Sequence, residues 1–220
     1  MRLFHFIAEK HVLDVVAAQR LKVSLLDDLN DPFELTAVEL PDMQSRKTIR
    51  DFKSAMAKDY GILCFSKNWK SPLLWSHYAN RHKGVALEFD VSDSVAHPIV
   101  YRKNRYYLNY ERFTTGLDSE EDIKGLWLTK YIEWKYEKEV RVILRKSECR
   151  KVGDMYFYDL GKDIRLKGIV LGPLCDIPVQ DIEDSLPKAL NLAIIKARLA
   201  FRSFNIVRKK DFATAHLRKT

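Results

Sequence analysis

The chain has 220 residues, of which 46% are hydrophobic and 11% aromatic, with a formal net charge of +8 and a pI near 9.3. That supplies material for a substantial core, and with no Pro/Gly/Ser-rich linker in the sequence it points to one domain over residues 1–220. Apolar runs are broken by charge before the ~18 residues of a membrane span, and the opening run to Ile7 is cut by Glu9 and Lys10 before it reaches signal-peptide length.

No membrane partner is therefore expected. Cys64, Cys149 and Cys175 are scattered and form no C-x-x-C pair, which argues against a disulfide framework, a zinc site or dithiol chemistry and suits a reducing cytoplasm. The basic balance favours polyanions. Basic residues gather late, at Arg198, Arg202, Arg208, Lys209, Lys210, Arg218 and Lys219, where a solvated tail and a nucleic-acid surface are equally good readings.

In chain order, Arg2 to Ile7 reads as a strand, followed by an amphipathic helix with apolar positions at Val12, Leu13, Val15, Val16 and Leu21. Val23 to Leu26 reads as a short strand and Asp27 to Pro32 as a turn, and a second helix runs from near Asp42 to Asp59. Gly61 to Ser66 is a buried-strand pattern, Lys67 to Pro72 a polar turn, Leu73 to Ala79 a short helix and Gly84 to Asp90 the next strand. Val100 to Tyr110 reads as a further strand, and Asp118-Ser119-Glu120-Glu121 as a helix start leading through Trp127 and Tyr131. Strands follow over Tyr136 to Leu144, Tyr156 to Leu160 and Lys167 to Leu171. Ile182 to Phe204, apolar at Leu186, Leu190, Ile194, Ala197 and Phe201, predicts a basic, helical C-terminal segment from about residue 182. Irregular mixing of strands and helices predicts an α+β fold with mixed or antiparallel sheets flanked by helices. The sequence has no Gly-x-Gly-x-x-Gly, no P-loop and no fixed-period repeat.

Four clusters carry the residue types of a site. His5 lies between Phe4 and Phe6, so alternation sends it to the other face, where a structural histidine is the commoner outcome. Asn30-Asp31-Pro32-Phe33-Glu34 has the chemistry of a capped turn, with Phe33 available to anchor the loop in the core. Ser66, Trp69, Ser71, Trp75, His77, Tyr78 and His82 gather aromatics with polar tips, suited to stacking on a base or nicotinamide ring or to docking a helix on a sheet. His77 and His82 are five apart and do not share a helix face as zinc ligands would. Finally, alternation puts Glu137, Glu139 and Arg141 on one face of a strand, opposite Val140, Val142 and Leu144, as a cleft carboxylate set or as exposed cross-strand ion pairs.

As an ordered set, Leu3-Phe4-His5-Phe6, Leu29-Asn30-Asp31-Pro32-Phe33-Glu34, Cys64-Phe65-Ser66, Leu74-Trp75-Ser76-His77-Tyr78-Ala79, His82-Lys83-Gly84-Val85, Glu88-Phe89-Asp90 and Trp134-Lys135-Tyr136-Glu137-Lys138-Glu139-Val140-Arg141 resemble a family of uncharacterised bacterial proteins classed as a domain of unknown function. Members of that family are associated with phage-defence and toxin-like settings. More distantly, His5, Ser66 and Glu139 in that order, with the Glu-x-Glu form of Glu137-Lys138-Glu139, resemble ADP-ribosyltransferases, although no Ser-Thr-Ser continuation follows Ser66. That likeness implies an ADP-ribosyltransferase-like fold, NAD as the consumed substrate, a nucleic-acid or protein acceptor and an antitoxin or immunity partner.

It further implies that Glu139 stabilises an oxocarbenium-like transition state, His5 positions a ribose hydroxyl or the nicotinamide amide, and Glu137 orients the acceptor. Ser66 and His77 fall in the same nucleotide-binding set. Trp75 or Tyr78 would stack on the nicotinamide, and Arg141, Arg102 or Arg105 would pair with the pyrophosphate. Two other classes stay open on the residues alone. One is a metal-dependent nuclease using Asp31, Glu34, Glu137 and Glu139, and the other a non-catalytic module that grips a nucleotide or partner.

Overall fold

A computed structural model describes residues 1–116, 120–187 and 190–218. Its strands up to the site are β1 (Arg2–Ile7), β2 (Arg20–Lys22), β3 (Ser24–Leu25), β4 (Tyr60–Ser66), β5 (Val85–Val91), β6 (His97–Pro98), β7 (Val100–Arg102), β8 (Thr129–Tyr131) and β9 (Glu139–Arg145). Beyond it come β10 (Arg150–Val152), β11 (Met155–Asp159), β12 (Ile164–Leu171), β13 (Asn191–Leu199), β14 (Ile206–Arg208) and β15 (Ala215–Arg218). The helices are α1 (Val12–Ala18), α2 (Met43–Asp59), α3 (Pro72–Tyr78), α4 (Tyr110–Thr115), α5 (Glu120–Leu128) and α6 (Val179–Ser185).

The main sheet has the order β14-β13-β12-β5-β1-β4-β9-β6, with β15 beside β13 and β3 beside β4. It is mixed: β12 and β13 run parallel, whereas β1 is antiparallel to both β4 and β5, and β4 to β9. With helices on its faces this is an α+β fold. Smaller sheets are formed by β10-β11-β2 and β7-β8. The central strands are apolar on both faces because both are covered. On one face Leu3, Leu87 and Phe89 pack with Val12 and Val16 of α1 and Ile182 of α6; on the other Phe4, Phe6 and Ala86 pack with Leu74 and Trp75 of α3. Alternation along β1 is what divides Leu3 from Phe4. The register sets Phe4 opposite Ser66 and Ser66 opposite Glu139, which makes one row across β1, β4 and β9.

Local chemistry sets the boundaries. At α2 the Asp42 carboxylate accepts from the Ser45 amide while the Ser45 hydroxyl accepts from the Asp42 amide, a reciprocal cap at the expected start. Pro72 opens α3, where its missing N–H costs nothing.

Several expectations are corrected. Leu21 lies on β2, because Gln19 turns left-handed at φ 48° and ends α1. The strand expected over Val100 to Tyr110 stops at Arg102, and Tyr110 instead begins α4, capped by the Asn109 side chain. Phe33 does not anchor its loop; it is 54% exposed beneath the Arg105 guanidinium. The helix expected from Ile182 to Phe204 ends at Ser185, and Asn191–Leu199 is strand β13, in parallel register with β12. Asp118 and Ser119 of the expected helix start lie outside the described residues, as does Lys219 of the basic set.

Gly84 and Gly172 mark the tightest backbone approach near α3. The Gly172 amide donates to the Gly84 carbonyl, and a Cβ on Gly84 would lie 2.1 Å from the Ile7 carbonyl oxygen and 3.0 Å from the backbone of Ala79. Backbone cannot yield as a side-chain tip does. Gly84→Ala should lower unfolding free energy in urea titration by about 1–3 kcal/mol, whereas Gly161→Ala, with open space around its Cβ, should change it by less than about 0.5 kcal/mol.

Candidate active site

A cavity of about 710 Å³ is lined by Phe4 to Ile7 of β1, by Cys64 to Ser66 at the end of β4, and by Glu139 at the start of β9. Tyr78 of α3, Asn30 and Glu34 of the Asn-Asp-Pro-Phe-Glu turn, Lys130 of β8 and Glu137 complete its polar floor, and Arg20 and Lys22 of β2 also line it. The volume falls in the range of small-molecule sites.

Each floor residue has a local reason for its place. Asp31 accepts from the Phe33 amide at 2.9 Å, an Asx turn that, with Leu35 at φ 59°, aims Glu34 inward. Glu137 ends a 3₁₀ turn over Ile132–Glu137, and Lys138, left-handed at φ 46°, joins it to β9. Glu137 and Glu139 therefore meet across a turn, where alternation along one strand was expected to align them.

At the centre lies Arg141, wholly buried. Its Nε donates to Glu139 Oε1 at 2.7 Å, its Nη2 to Glu34 Oε1 at 2.6 Å and its Nη1 to the Trp127 carbonyl at 2.9 Å. Lys130 Nζ lies 2.7 Å from Glu137 Oε2, 3.1 Å from Glu139 Oε2 and 3.5 Å from Glu34 Oε1. Three buried carboxylates thus face two buried cations. Burial alone would raise Glu139, but Arg141 and Lys130 outweigh it and hold its carboxyl down to about 2. For Glu137 burial wins over Lys130 and its pKa rises. Burial likewise raises the Cys64 thiol well above its ordinary value, so it is no nucleophile at neutral pH. Glu34 Oε2 is buried and has no hydrogen-bond partner among the described residues. A buried acceptor without a donor is costly, and here it belongs to a residue that lines the cavity.

His5 Nδ1 lies 2.8 Å from the Cys64 carbonyl. A carbonyl only accepts, so Nδ1 carries the proton and Nε2 presents a lone pair. Burial lowers the His5 pKa, only partly offset by that carbonyl, and keeps the ring neutral. The Tyr78 hydroxyl donates to Glu137 Oε1 at 2.5 Å and accepts from the Asn30 amide at 2.8 Å. Ser66 Oγ accepts from the Asn68 amide and faces the Asn68 and Glu137 carbonyls, so its single proton serves the backbone and it ties β4 to the 3₁₀ turn.

Of the residues singled out in the sequence, His5, Asn30, Glu34, Ser66, Tyr78, Glu137 and Glu139 line one cavity. Five others do not reach a ligand there. Trp75 has no exposed surface, packs edge-on to Phe6 and spends its indole N–H on the Trp69 carbonyl, so it cannot stack on a nicotinamide. Arg141 is likewise sealed, with no exposed surface and each of its three guanidinium nitrogens donating to a protein acceptor. His77 is exposed on the outer side, among Trp134 and Tyr136. Arg102 stacks over Tyr106 and Arg105 over Phe33, and neither lines the cavity. The carboxylates considered for a metal site are engaged: Asp31 by its turn, Glu34, Glu137 and Glu139 by Lys130 and Arg141. Among the described residues no group of three or more His, Cys, Asp or Glu is placed to hold a metal ion, and no helix is long and apolar enough to cross a membrane.

Sequence reasoning missed Lys130, the cation on which the carboxylates converge, and the cavity-lining Arg20 and Lys22. The signal for Lys130 was its isolation in the apolar run Leu126-Trp127-Leu128-Thr129-Lys130-Tyr131-Ile132, where a lysine needs a buried partner.

Residues 74–142 match the model of a family described as "Protein of unknown function (DUF2971)". The match begins in α3 and runs into β9, so it takes in Tyr78, Lys130, Glu137, Glu139 and Arg141, while His5, Asn30, Glu34 and Ser66 precede it. No curated protein and no solved structure matches the chain.

Arg141→Met leaves Lys130 as the one cation for three buried carboxylates and should cost about 3–5 kcal/mol in urea titration. Because the Glu139 carboxyl is depressed from 4.5 to about 2, its contribution to stability is full above pH 4.5 and lost as pH falls through about 2. Native protein should therefore lose melting temperature steeply across that window, and Glu139→Gln should show a shallower decline.

Proposed function

We propose that this chain is an NAD-consuming ADP-ribosyltransferase-like enzyme acting on a nucleic-acid or protein acceptor. The observation that carries the reading is the delivery of His5, Ser66 and Glu139 by three adjacent strands to one cavity whose floor holds more buried carboxylates than cations. Cleavage of a nicotinamide–ribose bond develops positive charge on the ribose. A fixed anionic floor stabilises that charge more than the ground state, and it acts without reorganising.

The residues present fit a dinucleotide by their chemistry. The free Glu34 Oε2 and the Glu139 carboxylate are acceptors for ribose hydroxyls, Tyr78 is the aromatic group beside them, and Arg20 and Lys22, rather than Arg141, are cations available to a diphosphate. When bound, the dinucleotide supplies a neutral leaving group on the ribose carbon. That carbon's bond to nicotinamide breaks, its bond to the acceptor nucleophile forms, and the acceptor's proton passes to a base. His5 Nε2, unprotonated as the structure holds it, and the carboxylate of Glu137, whose pKa burial raises, have the chemistry of such a base. A toxin or phage-defence setting, with an antitoxin or immunity partner, follows only from the family likeness.

The test incubates purified protein with labelled NAD and cell lysate, with and without nuclease treatment. Native chain should release nicotinamide and label an acceptor. Glu139→Gln should lose about 10²–10³-fold or more while staying folded at neutral pH, and loss of label after nuclease treatment would identify nucleic acid as acceptor. No nicotinamide release by native chain under any condition would overturn the reading.

A further inference from the structure

Far along the main sheet from the cavity, β13 and β14 form a hairpin closed by the Ala200 amide on the Asn205 carbonyl. Residues 195–210 contain six basic side chains and no acidic one. At its tip Phe201 is 89% and Phe204 98% exposed, an arrangement no folding argument accounts for, since neither ring has apolar surface to cover. The Arg198 guanidinium lies 4.3 Å from the centroid of the Phe201 ring, and Arg198, Arg202, Arg208 and Lys210 flank Phe201 along a shallow groove.

We infer that this hairpin is a docking site for single-stranded nucleic acid, with unpaired bases stacking on Phe201 and Phe204 and phosphates held by Arg198, Arg202, Arg208 and Lys210. Free ring faces beside planar guanidinium groups match the way proteins hold single strands without reading sequence. Duplex is the poorer occupant, because its bases already stack on each other and must be unstacked to meet a ring. A second copy of the chain is opposed by charge: pairing two of these β14 edges brings like cations together. An interfacial membrane anchor needs a broader apolar face than two rings at a turn. The inference stands apart from the reading of the cavity, since no cavity residue takes part.

The experiment measures fluorescence anisotropy of a labelled thymidine 20-mer, of a duplex of the same length and of anionic phospholipid vesicles, with full-length protein over a range of salt. Native chain should bind the single strand about tenfold or more tightly than the duplex. Phe201→Ala/Phe204→Ala should weaken it by about tenfold or more, with an unchanged thermal melt because both rings are solvent-exposed. Arg202→Ala/Lys210→Ala should reduce the slope of log affinity against log salt by about 1.4, two phosphate contacts at about 0.7 each. The inference is overturned by absence of single-strand binding, by equal affinity for duplex, by binding of vesicles alone, or by phenylalanine variants that bind like native protein.

Discussion

The Arg141 guanidinium is the constraint around which the rest of the molecule is arranged. A fully buried cation is tolerated only when acceptors meet it in good geometry, and Arg141 draws them from three elements: Glu34 from a turn, the Trp127 carbonyl from the end of α5, and Glu139 from its own strand. Meeting those demands fixes the turn after Asn30 against β9 and sets the end of α5 beside both. Lys130 follows immediately as the second cation of the same cluster. The cavity floor is therefore also a structural joint, and its carboxylates are held in place before any ligand arrives.

That joint divides the floor residues by what remains for them to do. Glu139, although pinned by two cations, stays ionised and borders the cavity; Arg141, its partner, is wholly buried and does not line it. The distinction is between lying near a site and having an unspent donor or acceptor. Ser66 falls on the structural side by the same test, because its hydroxyl closes the gap between β4 and the 3₁₀ turn.

Much of this was legible in sequence where local chemistry and tertiary environment agree. The alternation of β1, the reciprocal cap of α2 and the proline that opens α3 each name their element. Glu137, Glu139 and Arg141 stood out because charge inside an apolar pattern is conspicuous. The failures have equally particular causes. Leu186, Leu190, Ile194, Ala197 and Phe201 satisfy a helical period, yet Pro187 interrupts it, and pairing of Ile194 and Ile195 with β12 makes the segment a central strand. Trp75 and Tyr78 look alike as aromatic residues with polar edges; only packing decides that one fills the core and the other borders the cavity. Arg20 and Lys22 belong to a strand that β11 brings up from far along the chain, and no local pattern reports such an encounter.

The unpartnered oxygen of Glu34 has a consequence for ligand discovery. With the surrounding acceptors already spoken for and negative charge in excess, the floor repels phosphates and carboxylic acids and rewards groups that bring a hydrogen to share. A fragment collection offered to this pocket should sort itself by polarity of charge, with amidines, primary amines and vicinal diols seated at the carboxylates and acids at Arg20 and Lys22. The side of the pocket on which a fragment settles would then report its chemistry before its shape.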